Sequence, residues 1–203
     1  MSKRRKKVIA VDFDDVVFNF NGHFIPWHNE RHGSNVAYDA VHSFVMTDVY
    51  GVDANTMLGR VRHFTHEMHH TVFPIPGAIL ALKRLSLHFE PHLLTSRSES
   101  TFGVTTDWLH HHLPGVFVDH HFTNEFGGLS HHEVRKKYEV CHDIGAVVHI
   151  DDATKHANSV AAEAGIPAIL PERPWNRNDT LHPKVVRLHS WTEIVRHLET
   201  NFA

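Results

Sequence analysis

The sequence predicts an α/β fold with a parallel sheet covered by helices on both faces. Three observations predict it. Short β-branched, apolar runs recur along the chain, and longer segments with helical spacing separate them. Several of the runs end in acidic or hydroxyl side chains just before a helix begins. Strands that alternate with helices in this way imply a parallel sheet with both faces buried.

Residues 8–11 form the first expected strand, followed by strands at 91–94, 116–122, 146–150 and 166–170. Helices are expected at 77–87, where Ile79, Leu80, Leu82 and Leu85 keep helical spacing, and at 101–112, 130–144, 156–164 and 193–198. From Phe18 to Pro74 the rhythm breaks. Helical segments at 37–49 and 55–70 appear without a buried strand, and Pro-Ile-Pro-Gly at 74–77 ends the stretch. The expected division is a core of 1–17 and 75–203 with a small helical cap, 18–74, inserted after strand 1. Ligands of open α/β sheets bind at the carboxyl ends of the strands, so an insertion there is placed as a lid.

With 203 residues, 41% hydrophobic and 21% charged, the chain suits one core domain and a modest insertion. No apolar run reaches the ~20 residues of a membrane span. The basic start, Lys3 to Lys7, reads as a solvated tail. A net charge of −3 and the lack of a basic, aromatic-interleaved stripe argue against stable nucleic-acid binding. The single cysteine, Cys141, excludes an internal disulfide and points to a reducing, cytoplasmic compartment. Histidine is abundant at 23 residues, scattered as pairs and triplets that read as polar surface. Mild acid would make such a surface strongly cationic.

Four segments carry chemistry. In VIAVDFDDVVF a buried strand runs into Asp12, Asp14 and Asp15, a concentration of negative charge that is costly without a cation. Mg²⁺ suits an all-oxygen site that also takes a substrate phosphate. In HLLTSR a strand ends in Thr95, Ser96 and Arg97, where hydroxyls and backbone N–H groups can hold phosphate oxygens. In AVVHIDDATKHA another strand ends in Asp151 and Asp152. Lys136 and Lys137 open the helix before that strand, and either can offset phosphate charge.

In this order, DFDDV, LLTS, the lysine pair and IDD resemble the four motifs of the haloacid dehalogenase-like hydrolase superfamily. The resemblance implies a Rossmann-like three-layer core with strand order 5-4-1-2-3 and a cap after the first motif. It implies Asp12 as nucleophile, forming an aspartyl-phosphate, and Asp14 as general acid and then base. Mg²⁺ would be held by Asp12, the backbone carbonyl of Asp14 and Asp152, with Asp151 as outer partner or, in the reverse assignment, as ligand. Thr95 would bind the phosphoryl oxygens, helped by Ser96 and Arg97. Lys137, with Lys136 as rival, would neutralise charge.

A narrower resemblance rests on PIPGAILALKRL, TTDWL, IDDATKHANSVAAEAGIPAIL and ERPWNR. These strings are similar to the deoxyribonucleotidase-like branch, which implies removal of the 5′-phosphate from nucleoside monophosphates. Phe18, Phe20 or Trp27 would then stack on the base, and Arg97 or Arg177 would clamp the substrate. Residues 174–176 would close over the site or form a structural turn. The alternative within the class is a phosphatase for a sugar phosphate or another small phosphomonoester. A different class is suggested by HEMHH, which fits a zinc-binding helix with His66 and His70 as ligands and Glu67 as base. A non-catalytic binding module on the same fold would have lost Asp12, Asp14 or the Asp151–Asp152 pair, and all are present.

Overall fold

The computed structural model describes residues 5–125 and 133–203. β1 (Lys7–Val11), β2 (Phe89–Thr95), β3 (Asp119–Phe122), β4 (Ala146–Ile150), β5 (Ala168–Pro171) and β6 (Val185–Leu188) form one sheet in the order 3-2-1-4-5-6. Every neighbouring pair is parallel. The expected order 5-4-1-2-3 is present, and β6 extends it beyond β5. Its two valines are too short an apolar run to read as a strand from sequence.

Strand periodicity divides the core into two layers. Ile9, Val11, Leu93 and Ile150 face a large cluster with Leu82 and Leu85 of α4 (Ala78–Leu85), Trp108 and Leu109 of α5 (Phe102–His112), and Ile194 and Leu198 of the C-terminal helix. Val8, Ala10 and Leu94 face the other layer, against Val140 and Cys141 of α6 (Lys137–Asp143) and Val160. Cys141 is thus the small core residue its sequence context implies. α7 (Thr154–Ser159) runs into a π-helical turn at Val160–Ala164, where a longer α-helix was expected. α8 (Trp191–Asn201) starts at Ser190, whose hydroxyl accepts from the Glu193 N–H at 3.2 Å.

Two expected elements begin three or more residues later. β3 starts at Asp119, not residue 116. The helix expected over 130–144 starts at Lys137, because residues 133–136 are irregular and are hydrogen-bonded to the residues just after β3. The Arg135 N–H donates to the Thr123 carbonyl at 3.0 Å, and the Asn124 amide donates to the Glu133 carbonyl at 3.1 Å. The part of that expected helix over 130–132 lies outside the described residues.

Residues 18–74 add no strand to the sheet. Their longest helices are α1 (Phe20–His32) and α3 (Ala54–Met68), with the short α2 (Met46–Tyr50) between them. Here the structure departs most from the expected elements. α1 was not expected, since it carries Pro26 and scatters its buried residues around the helix. The helix expected over 37–49 reduces to a 3₁₀ turn at Tyr38–Ala40 and α2. α3 is capped by Asp53, whose carboxylate accepts from the Thr56 N–H at 3.0 Å.

The two passages between sheet and insertion are clamped together. The Ile75 N–H donates to the Val17 carbonyl at 2.8 Å. Trp191 donates from its indole to the Val16 carbonyl at 3.1 Å, and Trp108 to the Val72 carbonyl at 2.9 Å. Phe18 is fully buried between them, stacked on Phe13 at 4.8 Å and edge-on to Trp108 at 5.2 Å. It is a core residue, which corrects its expected role as a stacking face for substrate. Phe18→Ala should therefore cost about 3–5 kcal/mol of unfolding free energy in chemical denaturation. An unchanged denaturation midpoint would show that this ring does not hold the junction.

Candidate active site

The crevice lies at the carboxyl edge of the sheet, where β1 is flanked by β2 on one side and β4 on the other. The strand ends therefore bring Asp12, Thr95, Asp151 and Asp152 together. Asp12 is fixed by its own N–H, which donates to the Ile150 carbonyl at 2.9 Å. Its side chain is buried, and Lys137 reaches it from the first turn of α6, Nζ to Oδ1, at 2.6 Å. The same ammonium donates to Asp151 Oδ2 at 2.7 Å and is itself 1% exposed. Lys137 is thus the inward lysine. Lys136 is exposed at the helix start, with its backbone N–H bonded to the Glu139 carboxylate at 2.8 Å, and it does not line the cleft.

The acid pair divides into two environments. Asp151 is saturated: besides Lys137, it accepts from the Ala153 N–H at 2.9 Å and pairs with His149 Nε2 at 2.9 Å. Burial pushes its pKa up, but Lys137, His156 and the His149 bond outweigh this and hold it well below the ordinary carboxylate range. Asp152 accepts from the Trp175 indole at 2.8 Å. Burial, and then the charges of Asp151, Asp15 and Asp12, hold it well above that range. Asp12 is pushed up to about 6, by burial first, with Lys137 opposing and Asp151 and Asp14 adding.

Such raised values mark buried charge without enough compensation. Ligand atoms of Asp12, Asp151 and Asp152 lie within 4.8 Å of one another. Among the described residues, Oδ2 of Asp12 and Oδ1 of Asp152 accept no hydrogen bond, whereas both oxygens of Asp151 are committed. The donor set therefore fits a hard divalent cation, with Asp152 better placed than Asp151 to ligate it.

Asp14 points along the cleft, and both its oxygens are taken by Arg97, Nε at 2.8 Å and a terminal nitrogen at 2.7 Å. Arg97 also donates to Thr105 Oγ1 at 3.0 Å and lies 4.6 Å over the Phe13 ring. Thr95 accepts from the Arg97 N–H at 3.2 Å. The Ser96 hydroxyl is buried, lines the cleft and has no hydrogen-bond partner among the described residues. Asp15 has the left-handed φ of 54° and serves structure. Its carboxylate accepts from the N–H of Asn21 at 2.9 Å and its amide at 2.7 Å, tying down the start of α1.

Several contributing residues carry signals the sequence reading did not use. Glu125, just past β3, accepts from Lys155 at 3.1 Å and pairs with His156 at 3.0 Å, whose other ring nitrogen lies 3.5 Å from Asp151. His149 stands at a fully buried strand position two residues before Asp151, an unusual place for a surface histidine. Asn176 donates to the carbonyls of Asp152 and Pro171, both at 2.9 Å. With Trp175 it makes the 174–176 segment a lock on Asp152.

The cleft holds about 600 Å³, with a polar floor of Asp12, Thr95, Ser96 and Asp152 and an apolar roof from the insertion. Phe20, Phe44, Met46, Tyr50 and Val61 contribute to that roof. Trp27 does not: it is buried and donates its indole to Glu67 at 3.0 Å. Arg177 pairs with Glu172 at 3.4 Å and Asp39 at 3.6 Å and does not line the cleft. The zinc-helix reading is corrected as well. α3 ends at Met68, so His70 falls in a 3₁₀ turn, and His66 and His70 are not among the convergent ligand groups of the described residues. Glu67 is occupied by Trp27 and Arg31.

This fold and this set of strand ends define a haloacid dehalogenase-like hydrolase. Solved structures share the architecture: a family protein SP0104 from Streptococcus pneumoniae (TM-score 0.68, 13% identity, 95% of this chain and 98% of that one). The YfnB protein of Bacillus subtilis, described as a HAD hydrolase bound to magnesium, aligns with a TM-score of 0.62 at 14% identity over 97% of this chain and 100% of that one. The protein of Halalkalibacterium halodurans named "Putative nucleotidase BH1399" is 22% identical over 199 residues, 95% of this chain and 93% of that protein. Residues 6–199 match the family model described as 5′ nucleotidase, deoxy (pyrimidine), cytosolic type C protein, and the chain belongs to that family. It is accordingly a hydrolase of the phosphatase and nucleotidase class.

The position of Asp12 has a measurable consequence. Its pKa is about 6 folded against 3.8 unfolded, so the stability it contributes is complete below about pH 4 and lost as pH rises through 6. Asp12→Asn lacks that loss. With chelator present, the variant should gain stability relative to wild type between about pH 4 and pH 7, by at most roughly 3 kcal/mol. A difference in unfolding free energy that stays flat across this window would contradict the buried, under-compensated carboxylate.

Proposed function

We propose that the protein removes the 5′-phosphate of a nucleoside monophosphate, a deoxyribonucleotide in particular, through an aspartyl-phosphate on Asp12. The observation that carries the reading is the cleft itself: a buried carboxylate held by a buried lysine, beside Thr95, under an apolar roof large enough for a nucleoside. Residues 18–74 act as the cap, and 1–17 with 75–203 as the core. A cytoplasmic location accords with the family description.

Asp12 attacks phosphorus and the ester oxygen departs, taking a proton from Asp14. Asp14 then takes a proton from water, whose oxygen attacks the phosphoryl group, releasing phosphate and restoring Asp12. Asp14 must first exchange its two bonds to Arg97, and the incoming dianionic phosphate competes for that guanidinium. Thr95 and the unpartnered Ser96 hydroxyl supply donors to phosphoryl oxygens. Lys137 offsets the charge gathered at Asp12. Asp12, Asp152 and the Asp14 carbonyl would hold Mg²⁺, which would supply further positive charge where phosphate binds; the magnesium in YfnB and the convergence of the Asp12 and Asp152 carboxylates support this choice.

The roof favours a leaving group with an aromatic ring over a sugar alone, since it offers Phe20, Phe44 and Tyr50 on a predominantly apolar lining. Phosphate release should be measured over nucleoside 5′-monophosphates, sugar phosphates and glycerol phosphate, with Mg²⁺ and with chelator. Nucleotides should lead, and chelator should abolish turnover. Phe44→Ala should raise KM for the best nucleotide roughly tenfold or more and leave glycerol phosphate nearly unchanged. Sugar phosphates outperforming every nucleotide, or full activity in chelator, would overturn the substrate or the metal assignment respectively.

A further inference from the structure

Away from the acidic cleft, one cluster converges as metal ligands do. In the β2–β3 pairing His92 stands opposite Asp119, and Leu94 opposite His121. Residues opposite one another, and residues two apart, share a face of a sheet. His92, Asp119 and His121 therefore project from one face, near its edge. His92 Nδ1 lies 3.1 Å from His121 Nε2, with the rings nearly parallel at 7°. Asp119 Oδ2 lies 3.7 Å from the same Nε2, and all three donor atoms fall within 4.8 Å of one another. The other Asp119 oxygen accepts from the His120 N–H at 2.8 Å, which leaves Oδ2 for the histidines.

We propose that His92, Asp119 and His121 form a second metal site, for a divalent transition ion of the zinc class, separate from the acidic cluster at Asp12. Tetrahedral zinc with bonds near 2.0–2.1 Å sets its ligand atoms about 3.3 Å apart. The spacings of 3.1 and 3.7 Å bracket that value. Two imidazoles and one carboxylate select a borderline ion, whereas the oxygen-only cluster at Asp12 suits magnesium. Partial burial lowers the pKa of both histidines, although the Asp119 charge opposes it, which favours the neutral form that ligates metal. Glu90 adds negative charge beside His92. Arg135 faces His121, but its guanidinium is engaged by Asp143.

Three protein ligands leave a fourth position toward solvent, since the Asp119 side chain is 61% exposed on the edge strand. The ion clasps β2 to β3 on the strand that ends in Thr95, and so stiffens one wall of the cleft. The site also gives a use to two of the 23 histidines, and to one aspartate, that the phosphatase chemistry leaves idle.

Cobalt titration of the full chain tests this, with excess Mg²⁺ occupying the acidic cluster. Wild type should bind one equivalent of Co²⁺ with the visible absorption of a four-coordinate site, and Zn²⁺ should abolish the signal. Asp12→Asn should bind it unchanged. His121→Ala and His92→Ala should each weaken binding by roughly a hundredfold or more, since even outer partners of metal ligands are worth 10–100-fold. Asp119→Asn, at an exposed position, weakens binding likewise and keeps the test available if a histidine variant fails to fold. Wild-type affinity and spectrum in all three variants, or no four-coordinate signal in wild type, would overturn the site.

Discussion

The buried ammonium of Lys137 is the contact on which the crevice depends. It ties the end of β1 to the end of β4 through Asp12 and Asp151 and fixes the start of α6 against both. Without it, two carboxylates would face each other in a region of low polarity. Removing one partner of such a buried group costs far more than the group contributes, typically 3–5 kcal/mol. The lysine also explains an asymmetry. It, with His149, satisfies Asp151, while Asp152 and one oxygen of Asp12 stay under-compensated. The unsatisfied side of the cluster is the side that faces the cleft, where a cation and a phosphate would complete the charge balance.

A second constraint acts at the junction with residues 18–74. The two passages are hydrogen-bonded to each other, and each is pinned by a tryptophan from a core helix. Phe18 fills the space between. Asp15, in its left-handed conformation, directs the chain away from Asp12 and into α1. The result is a cleft with two unlike walls: a polar floor of strand ends, suited to a phosphoryl group, and a mostly apolar roof, suited to whatever that phosphate would be attached to. In such an arrangement the chemistry is indifferent to the leaving group, and selectivity belongs to the roof.

The core was legible because its strands are short, apolar and punctuated by the residues they deliver. Asp12, Thr95 and the Asp151–Asp152 pair could be placed at one edge from the β/α alternation alone. Between Lys136 and Lys137 the sequence could not choose, since neighbours on a helix differ by about 100° in direction and only the packing of α6 decides which one points inward. The insertion was least legible. α1 contains Pro26 and buries residues on several sides, so neither its existence nor its partners follow from periodicity. Phe18 and Trp27 illustrate the cost. An aromatic near a junction can be a substrate platform but is more often packing, and here both are packing. Contacts between distant segments, such as Glu125 with His156 and Trp175 with Asp152, leave no local pattern at all.

In the proposed reaction Asp12, held by Lys137, forms the bond to phosphorus. Acid-quenching the enzyme during turnover, followed by borohydride reduction, reads this directly, because an acyl phosphate is reduced to the alcohol while a free carboxylate is not. Peptide mass analysis should then find homoserine at position 12 and at no other aspartate. Unmodified Asp12, with reduction at Asp14, Asp151 or Asp152 or at none of them, would contradict the account.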